Sequence, residues 1–286
     1  MDLPFTVNFV VLCAVQAVAL LAPRPSPSWA RVRVRPVWGL LPLAGIGGVV
    51  VFMGNVEGAA QRAVDLAAVA TPVLAVLGLL ALRLRPLALA VPLLYWVAWQ
   101  HPGTRAADLS VDALIVMACA TLAWGTGIIA PRWALALGIV ITTIVDVVQI
   151  LNRDLQPVAE ALSRAEPPRG LPRLQEARFA GASMGWGDVY LAALLGILVG
   201  PRLRRAVVAA AVLFVLAVLY GFTFLVLDVI PATVPVTAAM LFTALVDRRW
   251  AAEQLAPPRP RGPRRRGSLQ PSATRRGPDG DEHDGA

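Results

Sequence analysis

The chain has 286 residues, 57% of them hydrophobic, with a mean hydropathy of +0.65 and a net charge of +8. That balance excludes an ordinary soluble domain, and repeated apolar runs of roughly 17–25 residues mark a polytopic membrane protein. Cys13 and Cys119 lie inside apolar runs, and His101 and His283 stand far apart, so neither a disulfide framework nor a metal centre is expected, and no cofactor is implied.

The first apolar run, 6–22, has only Asp2 ahead of it and no small-x-small cleavage site before "PRPSPSW". It reads as a retained membrane helix rather than a signal peptide. Further spans are expected at 37–54, 64–82, 86–100 (a short one), 111–129, 132–151, 180–200, 205–227 and 229–247. The expected fold class is therefore all-α: a polytopic membrane bundle of about nine helices. Five helices fill 1–130, and four more fill 131–250. The remainder, 251–286, is rich in Arg and Pro ("PPRPRGPRRRGS") and is expected to be a disordered tail. Its arginines suit contact with anionic lipid.

Every basic residue is an arginine, and the arginines concentrate in loops and the tail rather than on a basic globular surface. Membrane topology explains them better than a nucleic-acid partner does. Arg24, Arg31, Arg33, Arg35, Arg83, Arg85, Arg132, Arg202, Arg204, Arg205 and the tail arginines fall on one side of a nine-span arrangement. The other side receives Arg62, Arg105 and five arginines of the 152–178 connection, where acids offset them. The positive side stays in the cytoplasm, so the N-terminus is expected outside and the C-terminus inside, in the plasma membrane.

The sixth span, "WALALGIVITTIVDVVQIL", carries Asp146, and the seventh opens with "SMGWGDVYLAALLG", which carries Asp188 behind Gly185 and Gly187. A carboxylate within a membrane helix is costly and marks a functional site by default. At a rise of about 1.5 Å per residue, Asp146 lies about 8 Å before Leu151 and Asp188 about 13 Å after Phe179. The connection returns on the same side, so the two acids are expected at matching depth. Two carboxylates that meet in a low dielectric share a proton, one acting as base on water and the other polarising a carbonyl. The glycines allow close approach of backbone or substrate. Simpler readings exist for each acid: Asp188 as a helix cap, and Asp146 as an interfacial residue bonded by Thr142, Thr143 or Gln149. Trp186 and Tyr190 read as interfacial aromatics. In "DVIPATVPVTAAML", Pro231 and Pro235 interrupt the first turns of the ninth span and free backbone groups, unless they simply start the helix. Asp228 reads as an N-cap or as a competitor for a place in the dyad.

Gly185-Trp186-Gly187-Asp188, with Asp146 in the preceding span, resembles the GxGD intramembrane aspartyl proteases. The presenilin and signal peptide peptidase branch also carries Pro-Ala-Leu at the start of its last helix, and Pro231-Ala232-Thr233 occupies that place here. The resemblance covers spans six to nine. It departs at Val145, where the branch has Tyr, and at Thr233, where it has Leu. It implies Asp146 and Asp188 as the catalytic dyad and Gly185, Gly187, Pro231, Ala232 and Thr233 as substrate-binding support. The substrate implied is a transmembrane peptide or a signal-peptide remnant. "MGWGDVYLAALLG" also looks like the prepilin peptidase signature, with Tyr190 in place of the expected Lys. A proton- or cation-coupled transporter and a non-catalytic scaffold are the readings from other classes.

Overall fold

The computed structural model describes residues 3–22, 35–56, 58–152, 155–200, 202–222 and 231–254. The expected tail lies outside the described residues from 255 onward, as does Asp228, while 251–254 are helical. Helices dominate. Ala59–Ala81 (α3), Arg105–Ile129 (α6), Arg132–Leu151 (α7) and Leu203–Gly221 (α10) are each long and apolar enough to cross a membrane. The other helices of the bundle are, in chain order, Leu3–Leu21 (α1), Leu41–Asn55 (α2), Arg85–Ala88 (α4), Ala90–Gln100 (α5), Trp186–Val199 (α9) and Thr233–Val246 (α11). A membrane-embedded helical protein is what these features define.

The helices follow from local sequence. Buried residues of α3 recur at Val64, Ala68, Thr71, Ala75 and Leu79, one face of a helix, while Leu66, Val69, Val73 and Leu77 point outward. An apolar outer face is suited to lipid. The α6 helix starts six residues before the expected 111 because Thr104 caps it, its side chain accepting from the Ala107 N–H at 3.2 Å. The second expected span, 37–54, is broken into a 3₁₀ turn, Pro36–Leu40, and α2, with proline at the start of each. The fourth, 86–100, divides at Leu89 into α4 and α5; eleven residues of α5 extend only about 16 Å.

In lipid, apolar burial does not drive helices together; close packing and interhelical hydrogen bonds do. Accordingly, α9 sits at the centre, packed against α1, α6, α7, α10 and α11. Its buried residues run nearly all round it, with Ala192, Ala193 and Gly196 among them. A Cβ on Gly138 of α7 would lie 1.9 Å from the Gly39 carbonyl oxygen, so the backbones touch there.

Two departures bear on the site. The 152–178 connection and the start of the seventh span are not plain loop and helix. They contain an amphipathic helix, Leu155–Arg164 (α8), and a β-hairpin of Glu176–Phe179 (β1) and Ala182–Gly185 (β2). The strands are antiparallel, with Glu176 opposite Gly185 and Phe179 opposite Ala182. Ala180 and Gly181 both take positive φ, the two-residue turn that matches strand twist. The helical bundle stands with this hairpin added to it, and the seventh span is corrected by the hairpin's consequence: the helix begins at Trp186, not at 180. The hairpin is held by α6. Asp112 Oδ1 accepts from the Arg178 N–H and Asp108 Oδ2 from the Ala180 N–H, both at 2.9 Å. Asn8 of α1 donates to the Ala180 carbonyl at 2.8 Å.

A last short helix, Arg248–Gln254 (α12), folds back under α9, where Trp250 Nε1 donates to the Leu198 carbonyl at 3.1 Å.

Candidate active site

Asp146 projects from α7 five residues before its end and is 8% exposed. Its Oδ2 accepts from Thr233 Oγ1 at 2.7 Å. Thr142, Thr143 and Gln149, the partners expected from its own helix, do not make that bond. Thr143 instead donates to the Thr233 carbonyl at 3.3 Å and lies 2.7 Å from Thr237 Oγ1, so it fastens α11 to α7. Pro235 lacks the N–H that would return to the Pro231 carbonyl, which takes the Val234 N–H at 3.1 Å instead.

Asp188 stands in the first turn of α9, not two turns in, because the hairpin consumes the residues before it. At the third helical position it reaches back to the N-cap, and its carboxylate accepts from the Gly185 N–H. Asp188 thus caps α9 while lying within electrostatic reach of Asp146. The two glycines are not equivalent. A Cβ on Gly185 would lie 3.0 Å from Asp188 Oδ2, whereas one on Gly187 would meet open space.

Helices α7, α9 and α11 pack on one another, and the Asp146 charge acts directly on Asp188. Asp146, Asp188, Gly185, Pro231, Ala232 and Thr233 thus gather at one end of the bundle; Gly187 is beside them without crowding. Tyr220, at the end of α10, also lies within electrostatic reach of Asp146. Trp186 and Tyr190 are half-buried and pack against the core. They stack with ring centres 6.2 Å apart, and the Tyr190 hydroxyl lies 2.8 Å from Thr126 Oγ1, tying α9 to α6.

One member of this end was not read from sequence. Gln16, on the buried face of α1, donates from Nε2 to the Ala232 carbonyl at 3.2 Å and to the Asp188 carbonyl at 3.4 Å. Its signal is in the sequence: an amide in the middle of an apolar helix, with Ala14, Val15, Ala17 and Val18 around it.

Both cysteines are buried and free, and among the described residues no three His, Cys, Asp or Glu side chains gather as a metal would require. An apolar cavity of about 150 Å³ lies elsewhere, between α1, α3 and α6, bordered by Val18, Gly78, Leu82, Thr121 and Trp124. Comparison of the chain with protein-family models, curated proteins and solved structures gives no match.

Proposed function

We propose that the protein is a GxGD-type intramembrane aspartyl protease that cuts transmembrane segments or signal-peptide remnants with Asp146 and Asp188. One observation carries the reading: two acids from different helices lie within electrostatic reach of each other at one end of an apolar bundle, each with one hydrogen-bond donor accounted for. In such a pair one carboxylate takes a proton from water while the other, protonated, polarises the scissile carbonyl. Water then adds to the carbonyl carbon, and the leaving nitrogen recovers the proton. Neither a nucleophilic side chain nor a metal is needed.

The substrate peptide is locally extended beside the dyad. The β2 strand leads straight into Asp188, and Ser183 and Gly185 on it are exposed, which favours backbone pairing with such a segment. The opposite end of the bundle carries Arg85, Arg132, Arg202, Arg204, Arg205, Arg248 and Arg249, and we assign it to the cytoplasm of the plasma membrane. The dyad then lies toward the outer face.

A second reading, a prepilin-type leader peptidase, is favoured by the wording of Met184–Gly196. The same dyad would serve it, with a basic leader joined to an apolar helix as substrate.

The test is hydrolysis in liposomes containing the full chain, with two synthetic peptides: a single apolar span of about 20 residues and a basic leader fused to one. Cutting that is lost in both Asp146→Asn and Asp188→Asn, with membrane insertion intact, supports the dyad. Undiminished cutting in either variant overturns it. Which peptide is cut separates the two branches.

A further inference from the structure

We propose that Gln16 is a positioning residue for the dyad, a strut from α1 that sets the distance between the two carboxylates. This rests on the protease reading above. Gln16 is fully buried, and its neighbours on the buried face of α1 are Leu12, Cys13, Ala17 and Leu20. An amide in that setting needs partners, because a polar group removed from water without hydrogen bonds destabilises its surroundings. Both partners are main-chain carbonyls, and they belong to the two segments that carry the dyad. One is the carbonyl of Asp188 itself. The other belongs to Ala232, next to the Thr233 that bonds Asp146.

A continuous path results: Asp188 main chain, Gln16 amide, Ala232 main chain, Thr233 hydroxyl, Asp146 carboxylate. The Gln16 Oε1 has no partner among the described residues, so the side chain is held through its nitrogen alone. On the far side, Thr143 holds Thr233 and Thr237 to α7 by contacts that do not involve Gln16. Losing the amide therefore loosens α9 from the start of α11 and leaves α11 fastened to α7. The carboxylates shift relative to one another while the bundle persists. Such a change reduces turnover rather than substrate capture, because a misplaced catalytic group costs rate.

The experiment uses the full chain with Cys13 and Cys119 replaced by Ala. Ala232→Cys serves as the reporter at the site, and His101→Cys, in an exposed loop, as the control. Reaction with a water-soluble methanethiosulfonate is timed with and without Gln16→Leu. Peptide cutting is measured in parallel, without reporter cysteines. The expected result is faster modification of Ala232→Cys by about tenfold, unchanged modification of His101→Cys, and kcat lowered about tenfold or more with KM within about twofold. An unchanged rate at Ala232→Cys, or a rise in KM with kcat preserved, overturns the role of Gln16. Faster modification in a protein that cuts neither peptide upholds the strut and overturns the protease reading. Should Gln16→Leu fail to reach the membrane, Gln16→Glu takes its place; it is equal in length and has at most one hydrogen to offer two carbonyls.

Discussion

Thr233 Oγ1 donates to Asp146 Oδ2 at 2.7 Å, joining the first turn of α11 to the middle of the last two turns of α7. The residue that departs from the Pro-Ala-Leu pattern is thus the one that holds the acid. Thr233 is 1% exposed, so the bond is shielded from water. Thr233→Val keeps the shape and removes the donor, leaving a buried acceptor unpaired. A loss of about 1–3 kcal/mol is expected, read as a lowered unfolding temperature in detergent. Thr233→Ser, which keeps the hydroxyl, restores most of it.

Gly185 and Gly187 respond differently to the same substitution. The Cβ introduced by Gly185→Ala lies 3.0 Å from Asp188 Oδ2, and the carboxylate has to give way. Peptide cutting falls by about tenfold to a hundredfold, the range a displaced catalytic group incurs. Gly187→Ala meets nothing within 4 Å and stays within about twofold of the unsubstituted protein. Equal effects in the two variants would remove the steric explanation.

The hairpin depends on Asp112, which is 2% exposed. Asp112→Leu leaves the Arg178 N–H without its acceptor and costs about 1–3 kcal/mol. Hydrogen exchange at the Arg178 amide accelerates accordingly. Asp112→Asn retains an acceptor for that N–H, and its amide nitrogen stands where Oδ2 has no partner among the described residues. Exchange at Arg178 in that variant stays close to the original rate.

At the opposite end of the bundle, Asp247 accepts from the Trp250 N–H at 2.9 Å and pairs with Arg205, whose guanidinium lies 5.9 Å from the centre of the Trp250 ring. The Trp250 N–H foremost, and Arg205 after it, hold the Asp247 carboxyl below the ordinary carboxylate range. A depressed carboxyl stabilises the fold fully above its unfolded value, about 3.9, and that stabilisation is lost as the pH falls through the lower folded value. The difference in tryptophan emission between the unsubstituted protein and Trp250→Phe is therefore level from neutral pH down to about pH 5 and changes only below about pH 4. In Asp247→Asn that transition is absent.

The helix at 132–151 was legible because Pro131 starts it and unbroken apolar sequence follows, and the depth of Asp146 came with it. The hairpin was not. Ala182, Ser183, Met184 and Gly185 alternate buried and exposed, a strand signal, but they adjoin a long apolar run and read as its first turn. Ala180-Gly181 is also a weaker turn signal than Asn-Gly. That misreading puts Asp188 about two turns into its helix, where the structure has it in the first turn. Gln16 was missed for another reason: its partners are carbonyls more than 170 residues away, and main-chain acceptors leave no mark in a sequence.

Asp108 and Asp112 also act as a ruler. Four residues of helix advance about 6.0 Å, and two residues of antiparallel strand about 6.8 Å, so the acids of α6 are nearly commensurate with the alternate N–H groups of Arg178 and Ala180. The match lasts for one interval only. The next step along the helix would fall about 1.6 Å short in total and would have turned about 80° from the first acid. A helix can therefore stand in for a neighbouring strand over two residues and no further, which sets a limit on how long a hairpin this bundle can hold at its mouth.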